Sequence, residues 1–331
     1  MRIGILTSGG DAPGMNAAIR AIVLACSSND TVIGYRHGYN GLINGQSVQL
    51  TTQDVDGIIH LGGTIIKSAR CKEMREATGI KQAVTTLIKD KIDALIVIGG
   101  DGSFTGLLEI TQHWSGQVIG LPGTIDNDLD GTDNTIGFST AVSTAISAID
   151  KIRDTADAFD RVFIVELMGR HSGHIAFNVG IAAGAETILS FENTQVDAQD
   201  TVIEELALKI KGYQTSAETS YLICVAENLW PGGVVQLAKT LNEFAHIDAS
   251  TCILGHIQRG GSPTPKDRIL ATQLGVAAVS AIKAGETGIM IGEINNKPIE
   301  VPLDVAIGQT KSVPSHLIAA HDNITLINCE K

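Results

Sequence analysis

Within "GLPGTIDNDLDGTD" (residues 120–133) four carboxylates, Asp126, Asp128, Asp130 and Asp133, crowd a Gly- and Pro-containing stretch behind an apolar run. Three chemistries compete for such a cluster: solvated turn residues, calcium ligands, or a base beside a magnesium–phosphate site. A calcium loop of the EF-hand kind fails on spacing, because its distal Glu has no counterpart. Phosphoryl transfer needs an acceptor hydroxyl held in line, a destination for its proton, and neutralisation of the equatorial charge. Asp126 and Asp128 stand two apart and share one face if the segment is extended. One then serves as base while the other orients it or supports magnesium. Asp130 and Asp133 read as acidic turn residues in solvent.

Two Gly-Gly-Asp turns supply the phosphate side, "TSGGDAPGMN" (7–16) and "IGGDGSFTG" (98–106). Gly9, Gly10, Gly100, Gly102 and Gly106 lack side chains, so polyphosphate can lie against the backbone. Asp101 can then hold magnesium, which prefers carboxylate plus phosphate oxygens. The plainer alternative is that these glycines only make tight strand-to-helix turns. Neither loop carries the Gly-Lys-Ser/Thr of a Walker A, and neither fits the dinucleotide spacing.

Cations complete the constellation. "ELMGRHSGH" gives Arg170 and His171, "GHIQRGGSP" gives His256 and Arg259, and "SARCKEMR" gives Arg70. One arginine at a strand end is usually a surface ion pair; three at carboxyl ends make an anion pocket. Glu227, ending "YLICVAE", can accept hydrogen bonds from sugar hydroxyls. Met168 and Cys71 read as packing residues or backbone donors.

The elements that must position these groups are short apolar runs closed by glycine: "RIGILT", "ALIVIGG", "QVIGLPG", "RVFIVELMG", "SYLICVAE" and "TCILGHIQRGG". Runs without polar alternation predict strands buried on both faces of parallel sheets. Helical periodicity occupies about 15–28, 80–90, 103–113, 138–158, 198–211 and 266–284; in 138–158 it is carried by Val142, Ala145, Ile146, Ile149 and Ile152. The fold class is α/β with right-handed crossovers. "EINNKPIEV" predicts a late hairpin on an Asn-Asn turn. Ligands of such sheets bind beyond the carboxyl ends of strands, at helix N-termini.

Composition sets the bounds. The 331 residues are 44% hydrophobic with net charge −12, and no basic block invites nucleic acid or an anionic membrane. The five cysteines lack CxxC spacing, so no zinc site or disulfide framework is expected. No apolar run reaches the roughly 18 residues of a membrane span. With "MRIGILTSGGD" entering a strand at once, the chain reads as soluble and cytoplasmic.

"ILTSGGDAPGMNAAIR", "GGT" with "SAR", "VIGGDGS", "GLPGTIDND", "TIGF", "AIDKIRDTA", "MGR", "AGAE" and "LGHIQRGGSP", in that order, resemble the bacterial ATP-dependent 6-phosphofructokinases from residue 2 to about 294. The resemblance implies two three-layer α/β/α domains with mostly parallel sheets. Residues 1–138 plus about 257–307 would bind ATP, and about 139–256 plus 308–331 the sugar phosphate. Gly10, Tyr39, Arg70, Cys71, Gly102, Ser103 and Gly106 would hold ATP, with Asp101 on magnesium. Asp126 would take the proton of the sugar 1-hydroxyl, with Thr124 and Asp128 beside it, and Arg170 would stabilise the transferring group. Met168, Gly169, Glu227, His256 and Arg259 would hold fructose 6-phosphate, and Arg161 would reach the 6-phosphate of a neighbour's substrate in a homotetramer.

Four positions depart from the family's pattern. Ser250 stands where a second cross-interface arginine is expected. At the effector site Arg20, Arg153, Gly184 and Glu186 remain, but Leu24 and Thr52 replace arginines and "YQTSAETS" replaces a lysine pair. Weak or absent allosteric control is therefore expected. Pyrophosphate as donor is disfavoured, since that class carries Asp at the position of Gly102 and Lys at that of Gly123. Tagatose 6-phosphate or sedoheptulose 7-phosphate remain alternative acceptors. A catalytically silent subunit should have lost Asp101, Asp126 or Arg170, and none is lost.

Overall fold

The computed structural model describes residues 1–215 and 220–329, with residues 325–329 by backbone only. Its strands are β1 (Arg2–Thr7), β2 (Thr31–Tyr35), β3 (Ser47–Leu50), β4 (Ala94–Gly99), β5 (Gln117–Thr124), β6 (Ile136–Gly137), β7 (Val162–Leu167), β8 (Thr187–Leu189), β9 (Tyr221–Ala226), β10 (Ala249–Ile253), β11 (Ile289–Ile294) and β12 (Lys297–Pro302). The chain divides into two units, Met1–Thr140 with Arg259–Lys311, and Ala141–Gln258 with Ser312–Lys331. The division falls inside the helix Phe138–Ala158.

The first unit carries an eight-stranded sheet in the order β12-β11-β5-β4-β1-β2-β3, with β6 beside β5. β1, β2, β4, β5, β6 and β11 pair in parallel. Every residue of β4, "ALIVIG", is buried, because helices cover both faces of a parallel sheet. The helices Met15–Ala25 and Pro265–Ala284 pack so closely that a Cβ on Gly275 would come within 2.8 Å of the Ala21 Cβ. Asp267, at the start of the second helix, accepts the backbone N–H of Gly137 (2.9 Å) and of Thr140 (2.7 Å) and so caps Phe138–Ala158. Burial pushes its carboxyl pKa up, against those hydrogen bonds.

The second unit is a four-stranded parallel sheet ordered β10-β7-β9-β8. Here one expectation is corrected. "TCILGHIQRGG" is not a strand buried on both faces: β10 is an edge strand, and Ile253 is 56% exposed.

The late hairpin is present as β11–β12, with Asn295 (φ 52°) and Asn296 (φ 61°) in the left-handed region that such a two-residue turn requires. The antiparallel edge β3, "SVQL", escapes the apolar-run criterion because it barely alternates, and β2, "TVIGY", is likewise not among the runs the sequence singled out. Gly34 is needed for packing, since a Cβ there would meet Ile66 at 2.9 Å.

Candidate active site

In the first unit the pairing register brings three loops side by side. Thr7 of β1 aligns with Ile98 of β4, and Gly99 of β4 with Pro122 of β5. The turns Gly9–Gly10, Gly100–Asp101 and Ile125–Asp126 therefore leave adjacent interior strands at their carboxyl ends. They touch: a Cβ on Gly99 would stand 2.5 Å from Ser103 Oγ and 2.8 Å from the Ser8 oxygen, and one on Gly100 would stand 3.6 Å from Thr124 Cβ. Side chains there would close the approach to the backbone.

Asp101 is exposed at the first position of the helix Asp101–Thr111, and a Cβ on Gly102 would meet nothing within 4 Å. Helix N–H groups with one exposed carboxylate suit a phosphate-bound magnesium, which keeps most of its coordination from phosphate and water. No group of three His, Cys, Asp or Glu positioned for a metal occurs among the described residues, so magnesium fits here as a companion of phosphate, without a protein cage. Tyr39, expected at the nucleotide, is buried; its hydroxyl donates to the Ser103 oxygen at 2.6 Å, and a Cβ on Gly106 would lie 3.3 Å from its ring. Tyr39 thus braces the loop from behind, and burial pushes its phenol upward.

Arg70 and Cys71 sit in the long irregular segment between β3 and the turn Glu73–Arg75, not at the carboxyl end of a strand as the sequence suggested. That segment reaches the site by docking: Ser68 Oγ donates to the Gly9 oxygen (2.9 Å) and the Gly9 N–H to the Ala69 oxygen (3.3 Å). Burial raises the Cys71 thiol, consistent with an unreactive packing role. Arg259 places Nη1 3.1 Å from the Asp11 oxygen, beside Gly10.

The acidic loop is also ordered differently from expectation. β5 ends at Thr124 and Asn127 has φ 54°, so Ile125–Asp128 is a turn, and strand alternation does not put Asp126 and Asp128 on one face. Asp126 is buried and Asp128 half-buried. The Asp126 N–H donates to Thr124 Oγ1 (3.1 Å), Thr135 Oγ1 to the Thr124 oxygen (2.6 Å), and the Thr135 N–H to Asn127 Oδ1 (3.0 Å). β6 pairs back onto Gly123 and Thr124 and closes the loop. Asp130 and Asp133 do more than face solvent: Asp130 Oδ1 accepts the Gly131 N–H (2.8 Å), and Asp133 Oδ2 accepts the Asn295 N–H (2.8 Å) from the late hairpin.

In the second unit, Met168–Arg170, Glu227 and Gly255–His256 follow the neighbouring strands β7, β9 and β10, with Leu167 opposite Ala226 and Glu166 opposite Ile253. Three successive N–H groups of the Met-Gly-Arg turn are taken by side chains. Met168 donates to Gln258 Oε1 (2.9 Å); Gly169 and Arg170 donate to Glu227 Oε1 (3.2 and 2.7 Å). Asn228 Nδ2 donates to the Arg170 oxygen (3.1 Å). Glu227 thus holds the turn with one oxygen, beyond the sugar contact expected of it. Arg170 sits at φ 61°, a conformation this clamp must enforce. Gln258, fully buried, and Asn228 brace this turn; neither is singled out in the sequence, where the one signal is a glutamine between His256 and Arg259 in "GHIQRGG".

Arg161 lies at the other end of β7, about 20 Å of strand from Arg170. Its guanidinium covers the Phe159 ring at 4.9 Å and, with Lys211, His246, Asp160 and Asp248, lines a cavity of about 350 Å³. At the expected effector position, Arg153 Nη1 pairs with both oxygens of Glu186 (2.9 and 3.1 Å), and Nη2 donates to the Gly184 oxygen (2.6 Å). Arg20 belongs to the first unit, on Met15–Ala25. Of "YQTSAETS", residues 216–219 lie outside the described residues.

Doubly wound parallel sheets with glycine turns and paired polar loops at their carboxyl ends define an α/β protein of the phosphate-binding class. More particularly, the family model for phosphofructokinase matches residues 2–282, and the chain belongs to that family. It is 47% identical over 318 residues to the ATP-dependent 6-phosphofructokinase 1 of Thermus thermophilus, covering 96% of this chain and 97% of that one. To the ATP-dependent 6-phosphofructokinase 2 of Bacteroides thetaiotaomicron it is 47% identical over 319 residues, 96% of each chain. The Pichia pastoris phosphofructokinase in its T-state superposes with a TM-score of 0.86 at 36% identity, over 99% of this chain and 37% of that one.

Proposed function

We infer that this chain transfers the terminal phosphoryl group of ATP, with magnesium, to the 1-hydroxyl of fructose 6-phosphate, giving fructose 1,6-bisphosphate. The observation that carries this reading is a buried carboxylate, Asp126, on the loop beside the Gly100–Ser103 helix start. Asp126 takes the hydroxyl proton, Thr124 and Asp128 flank it, and Arg170 neutralises the transferring group. Gly10, Arg70, Gly102 and Ser103 meet the nucleotide, with Tyr39, Cys71 and Gly106 behind them. Asp101 holds magnesium, which when bound offsets phosphate charge. Met168, Gly169, Glu227, His256 and Arg259 meet the sugar phosphate. Arg161, at the far end of its strand from Arg170, serves the substrate of a neighbouring copy, so a homo-oligomer is the working assembly.

Local space favours ATP over pyrophosphate. A Cβ on Gly123 would stand 2.7 Å from Ile98 Cγ2, so a lysine there has no room, while the open space at Gly102 leaves the nucleotide's inner phosphate unobstructed. A coupled assay across ATP, pyrophosphate, fructose 6-phosphate, tagatose 6-phosphate and sedoheptulose 7-phosphate tests the reading. Turnover with ATP and fructose 6-phosphate is expected; equal rates with pyrophosphate, or a strong preference for another ketose phosphate, would refute it.

A further inference from the structure

The acidic loop is closed on one side by β5 and β6. Its other side is held by chain from beyond residue 300. Leu129 bridges Thr310, the Asp130 N–H donates to the Ala306 oxygen (3.3 Å), and the Lys311 N–H donates to the Asp128 oxygen (2.9 Å). The half-buried Lys311 then turns its ammonium into the loop, donating to the oxygens of Thr132 (2.8 Å) and Asp133 (3.1 Å).

The charged groups facing that ammonium are Asp128, Asp130 and Asp133 from the loop and Glu293 from β11. Burial lowers the Lys311 pKa to about 8, while the four carboxylates act to raise it. An unbalanced cluster of carboxylates in one short loop would repel itself open. A single cation that also satisfies two backbone oxygens counters the repulsion and fixes the chain trace together.

We propose that Lys311 is a positioning residue for phosphoryl transfer, fixing the backbone of residues 128–133 and offsetting their charge so that Asp126 keeps its place. This rests on the reading of Asp126 as the base. Lys311 lies outside the stretch matched by the family model and attracts no notice in the sequence, because nothing local links it to a loop some 180 positions earlier.

The test uses the full chain, with folded sites counted by calorimetric titration with Mg-ATP. In Lys311→Met, turnover per occupied site is expected to fall about 10- to 100-fold, as misplacement of a reacting group does, with KM for both substrates within about threefold. Lys311→Arg keeps the charge and should stay within about fivefold of wild type in turnover. Should Lys311→Met give no titratable sites, Lys311→Gln is read by the same criteria. Near wild-type turnover in the neutral variants, or equal losses in the neutral and Arg variants, would overturn the role. Asp126→Asn run in parallel separates the two readings. If Asp126→Asn is inactive while Lys311→Met is normal, only the Lys311 role falls; if Asp126→Asn keeps its turnover, the base assignment falls and takes this role with it.

Discussion

Arg259 Nη1 donates to the Asp11 oxygen at 3.1 Å, and a Cβ on Gly10 would come within 2.4 Å of that same nitrogen. A residue the family resemblance gives to the sugar phosphate thus rests on the glycine turn given to ATP. The turn spares a side chain at position 10 as much for this guanidinium as for a phosphate.

Gly10→Ala should therefore act on kinetics more than on folding. The methyl group collides with the end of a flexible side chain, which can swing away, so stability should change by less than about 0.5 kcal/mol. The same methyl group stands on backbone given to the nucleotide and displaces a guanidinium given to the sugar phosphate, so kcat/KM for ATP and for fructose 6-phosphate should each drop by about tenfold or more, about 1.4 kcal/mol of binding. Denaturant melts alongside initial rates check both halves. A large stability loss with unchanged kcat/KM would contradict this account.

Removing the proposed base is the sharpest test of the chemistry. Asp126→Asn keeps size and burial but cannot take up the hydroxyl proton. Turnover should fall by roughly 10²–10⁴, with KM for both substrates changing little. Rates within about threefold of wild type would sink the assignment.

The glycine loops and the parallel sheets were legible because their signals are local: an apolar run, a Gly-Gly-Asp turn, a helical period. The place of Asp126 on a loop behind an apolar strand was legible for the same reason. What stayed hidden depends on long-range pairing. Gln258 acts on Met168 and Lys311 on Thr132 across large sequence separations, and neither residue type advertises such a role. The extended reading of Asp126–Asp128 failed because Asn127 adopts the left-handed conformation, which asparagine tolerates and a strand pattern does not reveal.

Feedback control should be weak. Arg153 already spends its guanidinium on Glu186 and the Gly184 oxygen, and the exposed Leu24 offers no charge where the family pattern expects an arginine. An anionic effector needs several cations, each charge-assisted bond contributing about 1.5–3 kcal/mol. Millimolar phosphoenolpyruvate should shift half-saturation for fructose 6-phosphate by less than about twofold, on the same arithmetic. A severalfold shift in substrate titrations would show that other cations serve the effector.

Ser250 carries the last prediction. It sits on the edge strand β10, opposite Phe163, one register step from the Ala249–Val162 pair that adjoins Arg161. A phosphate dianion is best held by paired guanidinium groups, and Arg161 offers one fork. A serine hydroxyl gives a neutral bond of about 0.5–1.5 kcal/mol, so the missing charge costs about 1–3 kcal/mol, or roughly 5- to 150-fold in affinity. Lys211 lines the same cavity as Arg161 and is the cation placed to compensate, with His246 beside it as a further hydrogen-bonding group. Ser250→Arg should lower KM for fructose 6-phosphate at least about fivefold and leave KM for ATP unchanged. His246→Gln, measured in parallel, should raise KM for fructose 6-phosphate if that histidine shares the clamp. An unchanged or higher KM in Ser250→Arg, with His246→Gln also silent, would mean that the 6-phosphate is not held at this seam, and the acceptor search should then move to the other ketose phosphates.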